Sequence, residues 1–457
     1  MRPAVMDNFW FAFALFALLV FGLHLVQDPL AGAFEKLALY FHPTTASPAD
    51  ASGAIGPIYP RIVQSIIEAK LVPVGEILSR GAFFGWLGWL ALACGAAVMA
   101  LRPSAVLLLP LAALHLASVK LGIRFSMFGG AVFMIFLGVA LHWLAKAVLR
   151  EYPRKALVSA GAQLALGLAL LGYCHAAYAR LPLTPVLSRS YAEGLIELGS
   201  VAPADSMVWS WWDWGYATQY YSGLKTVVDG GRHAGSDVFP VGFVLASDSP
   251  ARAAGMVRFA SQHPLSDDRT FGLAPNEVWD AIPRNGLSAA LDEELARTDY
   301  PVSPPQYLVV SWKNLTIAKW ITYFGNWNLE SGVTEQASVN NYNPGELGIN
   351  VQRGAVMSRQ GGGGLVKDIT VLDQNGAQSQ TYFMNSVSPQ LLPTQQHLVV
   401  NKMSGQSVLM DRIAARSLMA RLLTCDPADP EIAPYFKLVV DKLPFARIYE
   451  VVQNLNE

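Results

Sequence analysis

Residues 9–27 run for 19 positions without a formally charged side chain, and four further apolar stretches follow at 82–101, 104–120, 126–148 and 156–178. A helix needs roughly 20 predominantly apolar residues to cross a hydrocarbon core about 30 Å thick. Each stretch is near that length, so the first part of the chain is predicted to be a polytopic α-helical membrane domain of about five spans. A cleaved signal peptide is the alternative for the first stretch. It would have a shorter apolar region and no membrane segments after it.

The composition agrees. Hydrophobic residues make up 52% and charged residues only 15%, and the apolar excess lies in the first 180 residues. That balance is too apolar for an ordinary soluble protein. A net charge of −1 without basic runs excludes a nucleic-acid partner. Three cysteines, Cys94, Cys174 and Cys425, form neither a metal spacing nor a disulfide framework.

With five spans, the 28–80 loop and everything from 181 onward fall on one side. Arg2, Arg102 and the group Lys146, Arg150, Arg154 and Lys155 lie on the other, which the positive-inside tendency makes the cytoplasm. The predicted organisation is thus a transmembrane domain over 1–180 with an external loop at 28–80, then an extracytoplasmic mixed α/β domain over 181–457. Lys120 and Arg124 break the charge pattern by lying on the outer side. A positive residue kept there points to an anionic partner, with lipid headgroups as the bland alternative.

Within the second domain, Ser190–Leu198 reads as a helix, Met207–Trp209 as a short strand, Tyr307–Trp312 as a buried strand and Leu315–Phe324 as a helix behind it. Residues 337–410, with the Gly361–Gly364 run and the alternation from Leu365 to Leu372, read as a small β subdomain. Leu409–Cys425 reads as an amphipathic helix.

The densest chemistry lies in Ser206 to Tyr221, where Trp209, Trp211, Trp212 and Trp214 surround Asp213 and precede Gly215 and Tyr216. Consecutive tryptophans cannot all face one core from a helix or a strand, so some must lie at a surface or cleft. An indole N–H only donates and a carboxylate only accepts, so the pair suits a group that does both, such as a Ser or Thr hydroxyl. Core packing with Asp213 as a helix cap is the bland alternative. A β-branched run from Lys225 then ends in Asp229-Gly-Gly-Arg-His233, with a tight turn at the glycines.

The block from Trp211 to His233 resembles the WWDYG region of the catalytic subunit of oligosaccharyltransferase, most of all its single-subunit bacterial form. Trp214 stands where that family usually has tyrosine. The resemblance covers only the family's C-terminal part. It implies transfer of a glycan from a lipid pyrophosphate carrier to asparagine in N-x-S/T sequons, with Trp211, Trp212 and Asp213 holding the sequon hydroxyl and Tyr216 extending the motif. It implies that Glu68 ligates a catalytic Mn2+ or Mg2+ ion. Arg80, twelve residues on, would pair with an acid two positions before the acceptor asparagine. Arg124, in Arg124-Phe125, and His233 would contact the lipid pyrophosphate, and Ile317 would pack on the threonine methyl. Asn314-Leu-Thr316 is itself an N-x-T pattern and is expected to be unmodified.

The implied partners are a lipid-linked oligosaccharide, an acceptor protein or peptide, and membrane lipids, at the inner membrane with the second domain periplasmic. The family's remaining metal ligands sit on external loops that have no counterpart here. A partial gene, one half of a split enzyme completed by an N-terminal half chain, and a degenerate copy all fit. The alternative of another class is a membrane-anchored, non-catalytic binder of acceptor peptides.

Overall fold

The computed structural model describes residues 57–61, 71–148, 155–179, 185–262, 286–301, 303–359, 361, 363–382 and 396–453. The chain divides into two compact units, residues 1–44 with 63–184, and residues 45–62 with 185–457.

The first unit is helical. Helix α1 (Val74–Ala82) and helix α2 (Gly85–Leu101) meet at a 78° bend, where Phe83 takes a φ of 66°. A 3₁₀ turn runs into α3 (Leu109–Leu121), and a second one (Ile123–Phe128) runs into α4 (Gly129–Val148). Helix α5 covers Lys155–Tyr178. By length and composition Pro103–Leu121 and Ile123–Val148 can each cross a membrane, and the bent α1–α2 pair makes a third if it counts as one span. The predicted five are therefore two or three among the described residues. The stretch at 9–27 lies outside them, and α5 contains a shorter apolar stretch, Ala160–Ala176.

The second unit is built on a five-stranded sheet. In chain order its elements begin with α6 (Arg189–Val201), β1 (Met207–Trp209), α7 (Gly215–Ser222), β2 (Lys225–Thr226), α8 (Gly235–Ala246), α9 (Pro250–Ser261) and α10 (Leu287–Ala296). There follow β3 (Gln306–Ser311), α11 (Trp312–Thr316) and α12 (Ala318–Gly325). Eight strands come next: β4 (Val339–Tyr342), β5 (Leu347–Asn350), β6 (Ala355–Ser358), β7 (Gly363–Leu365), β8 (Asp368–Asp373), β9 (Gly376–Thr381), β10 (His397–Asn401) and β11 (Ser407–Met410). Helices α13 (Arg412–Arg416) and α14 (Leu418–Thr424) and strands β12 (Phe436–Lys442) and β13 (Ala446–Val451) complete the unit.

The main sheet has the order β12-β13-β3-β1-β2, with β1 parallel to both β2 and β3. Successive strand residues point to opposite faces, and here both faces are covered. Val208, Tyr307 and Val309 pack with Tyr191, Leu195 and Leu198 of α6. Trp209, Leu308 and Val310 pack into the larger core with α8, α9, α12 and α14. Burial on both faces explains why β3 reads as an unbroken apolar run. Strands β4 to β11 form two further sheets, β4-β11-β10-β8-β9 and β5-β6-β7.

Two expectations change in detail. The helix expected over Leu315–Phe324 is two short helices that meet at Ile317 (φ −113°), and the first already starts at Trp312, directly after β3. There Asn314 Oδ1 accepts from the Ser311 N–H and hydroxyl, at 2.7 and 2.8 Å. The helix expected over Leu409–Cys425 begins as the buried strand β11. Asp411 then accepts from Ala414 N–H at 3.0 Å to cap α13, and extended Ser417 separates α13 from α14. The remaining elements agree to within a few residues.

Candidate active site: the Trp211–His233 cleft

The tryptophan motif leaves the sheet at the carboxyl end of β1, where open sheets with parallel strands present ligand-binding loops. The strand fixes how the indoles divide. Trp209, its last residue, is buried and donates to Gln306 Oε1 at 2.8 Å. Trp211 is also buried and meets the Phe324 ring edge to face, with centroids 5.8 Å apart. Residues Trp212–Trp214 form a single 3₁₀ turn, in which Trp212 and Trp214 are half-buried and Asp213 is exposed. Two of the four indoles are thus core and two are only half-buried, in line with the expectation that they could not all face one core.

The polar atoms divide as well. Trp211 Nε1 donates to Asp213 Oδ2 at 3.0 Å. Its N–H is therefore engaged in aiming the carboxylate. The Trp212 Nε1 atom is buried without a hydrogen-bond partner among the described residues, and so is that of Trp214. Leaving a buried donor unsatisfied costs about 1–3 kcal/mol. Trp212 stacks on the His233 ring, with centroids 4.8 Å apart and planes within 17°.

The Asp229 turn brings His233 to that position. Asp229 Oδ1 accepts from the N–H groups of Gly231 and Arg232, at 2.7 and 3.0 Å. Gln219 Nε2 reaches back from α7 to Asp229 Oδ2 at 2.9 Å and to Thr226 Oγ1 at 2.7 Å. The turn amides are thereby engaged, so an anion here would be met by side chains. Gly215 is required at the crossing, because a Cβ there would lie 2.3 Å from Val228 O. A Cβ on Gly230 would lie 2.7 Å from the Tyr216 ring, so Tyr216, itself 58% exposed, packs over the two turn glycines.

Asp237 completes the corner. Its Oδ2 accepts from Ala234 N–H at 3.0 Å at the start of α8, and its Oδ1 lies 3.6 Å from Arg232 Nη2. Burial pushes its carboxyl above the usual aspartate range, although Arg232 opposes the shift. Residues 57–61 lie against this region. Trp327 Nε1 donates to Ile58 O and Ile58 N–H to Leu329 O, both at 2.7 Å, and a Cβ on Gly235 would strike Pro60 O. The Tyr323 hydroxyl is raised by burial, and Arg61 opposes the shift. Gln219, Asp237 and this strap carry no motif spacing, so only the folded contacts reveal them.

Trp211, Trp212, Asp213, Tyr216 and His233 therefore come together. Ile317 is half-buried against the same main core, at the α11–α12 break. Asn314 is buried and holds the β3–α11 junction. In the helical unit Arg80 pairs with Glu76 Oε1 at 3.1 Å. Arg124 is exposed on the 3₁₀ turn before α4 and makes no ion pair or hydrogen bond among the described residues. That turn is tied to α3 by His115 Nδ1, 2.7 Å from Ser126 O. Glu68 lies outside the described residues. Among the described residues no cluster of three or more His, Cys, Asp or Glu is placed to hold a metal.

Residues 204–331 match the family described as the STT3/PglB/AglB core domain. Two Campylobacter jejuni proteins, from strain RM1221 and from subspecies jejuni serotype O:2, are each 26% identical over 303 residues. Both are named undecaprenyl-diphosphooligosaccharide–protein glycotransferase, and the match takes in 62% of this chain and 40% of each relative. A crystal structure of the C. jejuni PglB C-terminal domain aligns at 20% identity and a TM-score of 0.41, over 57% of this chain and 98% of that one. With the motif, the family match and the relatives in agreement, the chain resembles the catalytic subunit of bacterial single-subunit oligosaccharyltransferase over that subunit's C-terminal part.

Proposed function

We propose that this chain supplies the acceptor-reading part of a membrane oligosaccharyltransferase, which moves a glycan from a lipid diphosphate carrier to asparagine in N-x-S/T sequons. The observation that carries the reading is the pairing of an aimed acceptor with an unsatisfied donor. Asp213 is held by Trp211, while the buried Trp212 N–H on the same turn has no partner. A peptide hydroxyl donates to the first and accepts from the second. A peptide lacking that hydroxyl leaves the buried Trp212 N–H unmet, and that is how such a site rejects an analogue.

Fixing the hydroxyl fixes the asparagine two residues earlier. Its amide nitrogen forms the bond to the first carbon of the sugar, and the carbon–oxygen bond to the carrier breaks. The electron pair leaves on the diphosphate, and the amide gives up a proton. Positive side chains lower the cost of that developing charge, and Arg124 and His233 are the candidates. Arg80 would meet an acidic residue before the asparagine, and Ile317 the threonine methyl. Glu68 is the proposed ligand of a Mn2+ or Mg2+ ion, and no step here is routed through the metal. The relatives' matched length makes a further N-terminal part the proposed source of the remaining groups. The second unit is placed in the periplasm, with the helical unit in the inner membrane.

Full-length chain is titrated with a fluorescent Asp-x-Asn-x-Thr peptide and with its Asp-x-Asn-x-Ala analogue. The threonine peptide binds more tightly in the wild type, and Asp213→Ala brings the two together. Equal binding in the wild type would overturn the assignment.

A further inference from the structure

A second cavity, of about 470 Å³, opens in the same unit among α8, the α8–α9 turn, α10, the segment after α12, and α13. Its volume is within the roughly 300–1,000 Å³ of small-molecule sites. None of the hydroxyl-reading residues lines it. Its charged lining consists of Arg252, Arg412 and Arg416 with Asp248, Asp292 and Glu335, three of each sign. We propose that this cavity binds a neutral saccharide unit. The inference does not depend on the hydroxyl-reading site.

The charge balance disfavours an ion of either sign, because each guanidinium that would attract an anion is matched by a carboxylate that repels it. What remains is a dense, mixed set of donors and acceptors, and a sugar hydroxyl satisfies both kinds at once. Two of these groups are open. Arg252 is ion-paired with Asp292, and Arg416 lies 3.6 Å from Asp248. Arg412 and Glu335 make no side-chain hydrogen bond or ion pair among the described residues, and they line one cavity without reaching each other. A donor and an acceptor held apart in one cavity leave a gap that a polyhydroxyl ligand bridges.

The apolar part fits as well. Phe243 is half-buried with Arg252 over its ring at 5.4 Å, which fixes both. Trp327 is held by its bond to Ile58 O, so its ring carbons are the surface left to a ligand. Asn326, beside it, is anchored through Nδ2 to Glu335 O at 2.9 Å. Rigid rings next to planar polar groups offer a sugar both an apolar face and its hydroxyl partners. An extended peptide presents donors and acceptors in a line along its backbone, which suits an open edge better than groups converging from five elements.

Saturation-transfer NMR tests this on the full chain in lipid nanodiscs, which avoid sugar-headed detergents. The probes are methyl β-glucoside, N-acetylglucosamine and glucuronate. The neutral sugars are expected to receive saturation and glucuronate to receive less. Arg412→Ala and Glu335→Ala should each weaken the neutral sugars about fivefold to tenfold. Both side chains are exposed and unpaired, so neither change threatens the fold. Displacement by a lipid-diphosphate glycan or by a glycopeptide supports the proposal and names the form that presents the sugar. No transfer to the neutral sugars, transfer unchanged in both variants, stronger binding of glucuronate, or displacement by an unglycosylated peptide would each overturn it. Because the acceptor-peptide titration reads the other cleft, the two ideas can fail separately.

Discussion

The indole N–H of Trp211 donates to the carboxylate of Asp213 across two residues, at 3.0 Å, and the indole is buried against Phe324. Trp211 thus sets the direction of the acceptor, and Trp212 carries the donor that stays open. The two adjacent tryptophans have different work. Trp211→Phe keeps the ring and removes the anchor. A hydrogen bond to a charged group contributes about 1.5–3 kcal/mol, so the preference for threonine over alanine peptide should fall about tenfold or more. Parallel titration of the two peptides measures it.

Trp212→Phe separates function from stability. The variant loses an unsatisfied buried donor and keeps a ring to stack on His233. Thermal unfolding should stay unchanged or rise, while the threonine peptide binds more weakly. A structural tryptophan would lose stability on the same change, so a clear drop in unfolding temperature would remove Trp212 from the reading role.

Gly215→Ala forces a methyl to 2.3 Å from Val228 O and 2.5 Å from Asp229 Cα. Both contacts are with backbone, which cannot step aside cheaply. Overpacking of this kind costs about 1–3 kcal/mol. The urea midpoint should fall, and the threonine preference should fall with it, because the same shift moves the turn that carries His233.

Asp237 provides the pH test. Burial raises its carboxyl, so the folded state favours the neutral form. Its contribution is fully present in acid below the ordinary carboxyl range and is lost as the pH rises through the raised folded value. Asp237→Asn keeps an oxygen for the Ala234 N–H and cannot ionise. Wild type and variant should be similar in acid, and the variant should become the more stable of the two towards neutral pH. Unfolding followed across that range checks it, and a difference that is flat with pH would refute the buried-carboxyl account.

Much of this was readable along the chain because it is local. Membrane length is a matter of consecutive apolar residues, so Pro103–Leu121 and Ile123–Val148 were visible, and strand β1 was placed to the residue. The pairing of Asp213 with indoles was evident from adjacency alone. Which indole is core and which is rim was not. That follows from the direction in which β1 leaves the sheet, and the direction is set by pairing with β3, about a hundred residues away. The early start of α11 is fixed where β3 ends, since Asn314 caps the helix from Ser311, the last residue of that strand. The balanced cavity takes its charges from the α8–α9 turn, α9, α10, the segment after α12, and α13, which are scattered in sequence and meet only when these elements pack together. Periodicity and spacing report what a segment does with its neighbours in the chain, whereas the partner of each indole, carboxylate and guanidinium is chosen by long-range packing.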